Sequence, residues 1–424
     1  MTKNILYLLA ALAAVALIAI VTAWPRAQFV ASASPASSAA TPANLARGAY
    51  LARAGNCMGC HTARGGQAYA GGRALETPFG AIFAPNITPE RDTGIGAWNA
   101  DDFWGALHNG ISRDGRLLYP AFPYTNYTKV TRADADALFA FLHNLPAVKQ
   151  VNTAHTLRFP YNQQIALAGW RLLFFKPDVF VPSASESPTW NRGAYLVEGL
   201  GHCSACHASR NAAGASMRGL GGGLIPTVGW YAPSLTSDAE AGLGSWELPH
   251  IVQLLKTGVS PRATVFGPMA EVVERSLQHL DDADVGAMAT YLKSLPATRA
   301  EVRDAFKGPE VEQVVAQGKS LYETHCVDCH GADGKGLAPA YPPLAGNRAI
   351  TMDNSVNAVR IVLNGGFARG TLANPRPYGM PPYSHLMDDH EVAAVVSYLR
   401  ASWGNTAAPV TASEVNRYRS TPLD

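Results

Sequence analysis

The sequence predicts a mainly α-helical chain of three tandem units behind an N-terminal transmembrane or signal helix. Three observations carry this expectation. The pattern C-x-x-C-H occurs three times, at Cys57–His61, Cys203–His207 and Cys326–His330. Each copy is preceded by a short helical pattern, "RGAYL" at Arg47 and Arg192 and the looser "QGKSL" at Gln317. Each is also followed by a stretch that opens on acidic residues, carries apolar residues at helical spacing and stops at Pro or Gly. The 39 Gly and 29 Pro among 424 residues point to small units with long irregular loops, not to a sheet-dominated core.

The elements follow in order. Residues 1–30 form the anchor or signal segment: "ILYLLAALAAVALIAIVTAW" from Ile5 to Trp24 has no charge and as a helix would be about 30 Å long, one bilayer core. Lys3 and the "ASA" at Ala31–Ala33 fit a cleaved signal, but signal cores run about 7 to 15 apolar residues, which favours a retained anchor. Either way the remainder is exported, with the units below facing the periplasm from the inner membrane. Residues 31–43, "ASASPASSAATPA", read as a flexible tether. The first unit spans 44–150 and closes with "DADALFAFLHNLP" from Asp134. A connector, 151–188, holds "IALAGWRLLFF" (Ile165–Phe175), too short to span a bilayer and read as a linker helix in preference to a membrane-surface or partner-docking one. The second unit, 189–298, closes with "DADVGAMATYLKSLP" from Asp282; after a linker, 299–311, the third, 312–404, closes with "DHEVAAVVSYLRASWG" from Asp389. Residues 405–424 remain as a C-terminal tail.

The cysteines carry the chemistry. Residues three apart are neighbours on a helical turn, so two thiols in C-x-x-C-H can reach the two vinyl groups of one haem while the next histidine turns to the iron. A zinc site would have to pair the motifs, and three is an odd number. A thioredoxin-like pair leaves the repeated histidine unexplained. Structural disulfides suit an exported chain, yet the three motifs use all six cysteines. Three covalent haems are expected, on Cys57 and Cys60, Cys203 and Cys206, and Cys326 and Cys329, with His61, His207 and His330 as proximal ligands.

An electron-transfer haem commonly takes a methionine thioether as sixth ligand. Met269 in "FGPMAEVV" stands 13 residues before Asp282, and Met380 in "YGMPPY" nine before Asp389. Met217, Met288, Met352 and Met387 fit packing or solvent-facing roles better. In the first unit Phe122, in "LYPAFPY", occupies the corresponding place and cannot coordinate iron. That haem is then five-coordinate, or His108, His143 or Tyr124 supplies the ligand.

With these residues in place the chain, from about Asn44 to Val410, resembles the triple-haem cytochrome c subunits of membrane-bound periplasmic dehydrogenases found in acetic-acid bacteria and pseudomonads. The likeness rests on "RGAYL" before two motifs, "GHCSACH", "LYPAFPY", "GPMAEVVERSLQHLDDADV" and "ASWGN". It implies three class I cytochrome c-like domains that take electrons from a catalytic partner and pass them to ubiquinone or another cytochrome. Phe122 is more similar to the form accompanying molybdenum hydroxylases with iron–sulfur subunits than to alcohol dehydrogenase cytochromes, so a molybdenum-type partner is favoured over a quinoprotein or flavoprotein dehydrogenase.

Other classes have less to stand on. A net charge of +2 gives nucleic acid no basic patch, no G-x-G-x-x-G opens a helix, and no paired carboxylates or Ser/His/Asp set suggest hydrolysis. Any substrate chemistry would lie with the partner. The rivals are an open, ligand-binding first haem and a free-standing electron shuttle.

Overall fold

In the computed structural model the described residues are 7 and 40–421, apart from 218, 226, 239–241, 299–307 and 339. The expected span Ile5–Trp24, Tyr7 excepted, lies outside them. Among the described residues no helix is long and apolar enough to cross a membrane. The fold is mainly helical, with four two-stranded antiparallel hairpins as its only sheets among those residues. Two compact units result: one from 40–52, 60–181 and 212–215, the other from 53–59, 182–211 and 216 onward.

α1 (Pro42–Ala54) begins in the first unit and leads to the first cysteine motif, and α2 (Ala100–Asn109) and α3 (Arg132–His143) form that unit's helical body. Asn99 and Asp102 close a capping box on α2, and Gly110 ends it in the left-handed conformation at φ 60°. Thr131, not Asp134, starts α3: its hydroxyl accepts from Asp134 N, so the helix begins earlier than its acidic turn suggests. The connector helix α4 (Gln164–Phe174) belongs to this unit and packs Leu167 and Ala168 against Ile111 and Leu117. Its Leu172 and Leu173 stay exposed.

The second unit holds the other two repeats. α5 (Pro188–Tyr195) is prolonged by a π turn, 196–200; α6 (Leu248–Thr257), α7 (Gly267–Arg275) and α8 (Asp282–Ser294) complete the second repeat. α9 (Pro309–His325), α10 (Val356–Asn364) and α11 (Asp389–Ala401) form the third, and α12 (Ala412–Arg419) follows. The repeats fuse because side chains cross between them. Asn357 bonds both the N–H and the carbonyl of Tyr231, and Arg360 lies over the Trp230 ring at 4.8 Å.

One packing device recurs three times. A Cβ on Gly48, Gly193 or Gly318 would lie 2.0 Å from the carbonyl oxygen of Ala137, Ala287 or Ala394. The Cβ atoms of Phe141, Tyr291 and Tyr398, four residues further on, are within 3 Å of the same positions. Glycine lets the first helix of each repeat touch the backbone of the closing helix. In two repeats the preceding arginine adds an ion pair: Arg47 to Asp134, and Arg192 to Asp284 through two bonds of 2.7 and 2.8 Å. The third has Gln317 there, and its closing helix is tied instead by Arg419 of α12 to Asp389 at 2.6 Å.

The residues expected to be a tail therefore belong to the third core. Val410 and Val415 pack with Tyr322, Leu363, Val392 and Val396. Arg400, 1% exposed, donates to the carbonyls of Ile350, Met352 and Ala408, closing off the end of α11. Asn416 and Arg419 hold the Asp389 carboxyl below the usual carboxylate range. Its contribution is then full above the unfolded value near 4 and is lost as pH falls through the lower folded one. D389N is expected to be about 1 kcal/mol less stable at pH 7 and to converge with the native chain in acid. Denaturant titrations at both pH values test this, and an equal gap at both would remove the carboxylate from the account.

Candidate haem centres

Each cysteine motif is one helical turn: Cys57–Cys60, Ser204–His207 and Val327–His330. Before the first two, Asn56 and His202 take left-handed backbone conformations at φ 48° and 39°, turning the chain sharply out of the leading helix. In the third copy α9 runs to His325 and Cys326 makes the break at φ −125°.

The histidines share one geometry built on three different loops. Nδ1 of His61 donates to the carbonyl of Pro85 at 2.8 Å, that of His207 to Pro233 at 2.7 Å, and that of His330 to Pro342 at 3.1 Å. A proton committed to Nδ1 leaves the lone pair on Nε2, the tautomer a metal takes. Burial lowers the pKa of all three, that of His207 to about 4, so each ring is neutral at pH 7. Sequence reasoning found the histidines but not their proline partners. A signal was present: "APNIT" from Ala84 and "APSLT" from Ala232 are a second repeated block, followed in each case by a G-x-G-x-W pattern.

The thiols fit attachment better than redox or zinc chemistry. All six are free of disulfides. Burial pushes the Cys203 thiol up to about 12 and Cys326 up to about 11, and raises Cys206, opposite to the depressed values of reactive thiolates. Among the described residues no three His, Cys, Asp or Glu side chains gather as a metal cluster.

In the second unit a single cavity is bordered by Cys203, Cys206, His207 and Met269 and equally by Cys326, His330 and Met380. Leu254, Leu292, Val362 and Leu399 supply apolar wall. Two thiols, a neutral imidazole and a thioether around apolar space suit a haem, a flat hydrophobic macrocycle with an iron at its centre. Met269 sits in the first turn of α7, and Met380 pairs with Gly366 in a two-residue strand, so both are fixed by backbone structure. Of the other methionines, Met288, Met352 and Met387 are buried and Met217 is exposed.

The first unit differs. Phe122 packs on Tyr127 with ring centroids 5.3 Å apart. His143 is bonded through Nε2 to the Ile95 carbonyl at 2.9 Å. His108 bonds through Nδ1 to the Thr128 carbonyl at 2.8 Å and stacks on Trp104. Tyr124 is fully buried beneath Arg171, whose guanidinium is 5.2 Å from its ring. Each alternative ligand thus already has a structural role.

The chain is similar to known proteins over most of its length. The cytochrome c family model matches residues 45–146 and 315–403. The cytochrome c subunit of gluconate 2-dehydrogenase from Pantoea cypripedii is 40% identical over 406 residues, covering 91% of this chain and 92% of that one. The cytochrome c subunit of the quinone alcohol dehydrogenase from Gluconacetobacter polyoxogenes is 38% identical over 90% of this chain and 85% of its own. The nicotinate dehydrogenase of Pseudomonas putida has a chain that is 40% identical over 92% of this one but only 32% of its own length.

Proposed function

Because the chain belongs to the cytochrome c subunits of dehydrogenase complexes, we propose that it carries electrons through three covalent haems, one on each C-x-x-C-H turn, in three class I cytochrome c-like domains. The observation that carries this is the threefold histidine geometry, each Nδ1 on a proline carbonyl beside a pair of cysteines free of disulfides. The haems would supply the one-electron couple. The chain would do the rest: His61, His207 and His330 would hold the haems through their neutral Nε2 atoms, and Met269 and Met380 would add a thioether ligand to two of them. The apolar lining of the cavity would limit water at the iron and so would favour electron transfer over ligand chemistry. Phe122 leaves the first haem without a thioether and sets it apart electronically.

M269A and M380A are each expected to open one coordination position. The dithionite-reduced chain should then bind one more carbon monoxide than the native protein, and one haem should fall in potential. A titration in which neither variant gains a site would mean that these methionines do not reach the iron.

The catalytic partner is a dehydrogenase. A molybdenum type with an iron–sulfur subunit is favoured by Phe122, and ubiquinone or another cytochrome is the acceptor, at the periplasmic face of the inner membrane. The relatives named for gluconate and quinone alcohol dehydrogenases favour a second reading, a partner without molybdenum. Mild-detergent purification of the intact complex with metal analysis separates the two. Molybdenum with non-haem iron supports the first, and a quinone or flavin cofactor on the partner supports the second.

A further inference from the structure

Arg348 is a cation of the third repeat that reaches into the second. It follows Asn347, which caps the short turn Arg348–Thr351. Its Nη1 donates to the Ser234 carbonyl at 3.3 Å, and its guanidinium lies over the Trp246 ring at 5.2 Å. Ser234 directly follows Pro233, so adjacent carbonyls of one loop hold the His207 ring and the Arg348 side chain. Arg348 also borders the cavity that Cys203, Cys206, His207 and Met269 border.

Among the described residues no ion pair holds this arginine, unlike several others in the unit. Arg192 has Asp284, Arg369 has Glu271 and Glu274, and Arg419 has Asp389. Among the described residues Arg348 contacts only a carbonyl and an aromatic face. Burial without a carboxylate lowers its pKa to about 10, which still leaves it charged at pH 7. A cation turned toward an apolar cavity is costly unless an anion enters with it. Haem carries two carboxylates of its own.

We propose that Arg348 is a positioning residue that pairs with a carboxylate of the haem attached at Cys203 and Cys206, so that the third repeat sets the potential of the second repeat's haem. This rests on the assignment of His207 as a haem ligand. A fixed positive charge beside the cavity favours the reduced iron, which carries one positive charge fewer than the oxidised form. Removing it strands the haem carboxylate and favours oxidation.

The test is a spectroelectrochemical titration of the full chain in detergent, native against R348Q, R348M and R348K, with haem counted per chain in each. R348Q is expected to keep all its haems while the reduction equilibrium of one shifts at least tenfold toward the oxidised form, 59 mV for a one-electron couple. R348K, which keeps the charge, should recover most of that shift. R348M gives the same measurement if R348Q loses a haem. The shifted wave should be the one missing from a C203S/C206S chain. Unmoved potentials in both R348Q and R348M, with haem content intact, would overturn the role of Arg348 alone. A C203S/C206S chain with native haem content would instead overturn the attachment on which it rests.

Discussion

Replacing Cys203 and Cys206 together with serine is expected to lower the haem content by one per chain and to disable transfer between partner and acceptor. The pair at Cys57 and Cys60 and the pair at Cys326 and Cys329 should each do the same. Serine cannot form the thioether, and His207 alone would hold its haem reversibly. The cost extends to folding. The cavity of the second unit measures about 320 Å³. At about 24 cal/mol per Å³ an unfilled space of that size costs about 8 kcal/mol, and half of it about 4 kcal/mol. Against a typical domain stability of about 5 to 15 kcal/mol, one missing haem leaves the second unit marginal. Pyridine haemochrome counts and the masses of the motif peptides decide the matter, and a serine pair with a full complement of haem would remove that motif as an attachment site.

G318V or G193V is expected to cost at least about 3 kcal/mol, the upper part of the range for overpacking, because the new side chain meets backbone and not a movable group. At both positions even the first carbon would lie 2.0 Å from a carbonyl oxygen of the closing helix. The leading helix can give way only by lifting off, which would expose Tyr322 and Val396 in the third repeat. G286A is the control. It lies on α8 beside Ala287, a Cβ there meets nothing within 4 Å, and alanine should stabilise that helix by roughly 0.5 to 1 kcal/mol. Thermal and denaturant melts of the three variants would contradict the crossing as a determinant if G318V and G193V melted with G286A.

The closing helices were legible because their signals are local. Asp282 and Asp389 open α8 and α11 where the acidic turns predict, while Thr131 captures the start of α3 two residues early. The histidines and cysteines were legible for the same reason: one helical turn contains the whole motif. The residues 405–424 were not. The segment is short and mixed in polarity, and its helix is held by Arg419 reaching Asp389, a pairing across 30 residues. The proline carbonyls behind His61 and His207 lie 24 and 26 residues downstream, repeated in sequence but with no local rule linking an imidazole to a distant carbonyl.

The sequence by itself determined the chemistry: three pairs of thiols with a histidine beside each, methionines placed for two of them and Phe122 in place of a third. These depend on residue identity and on spacings within a few residues, which one helical turn converts directly into geometry. Only the tertiary structure decided that the second and third motifs share one cavity and that Arg348 of one repeat binds the loop that holds the histidine of another. Those relations depend on where glycines let helices meet and where buried side chains cross between repeats. Such contacts join residues more than a hundred positions apart, and no periodicity in the chain records them.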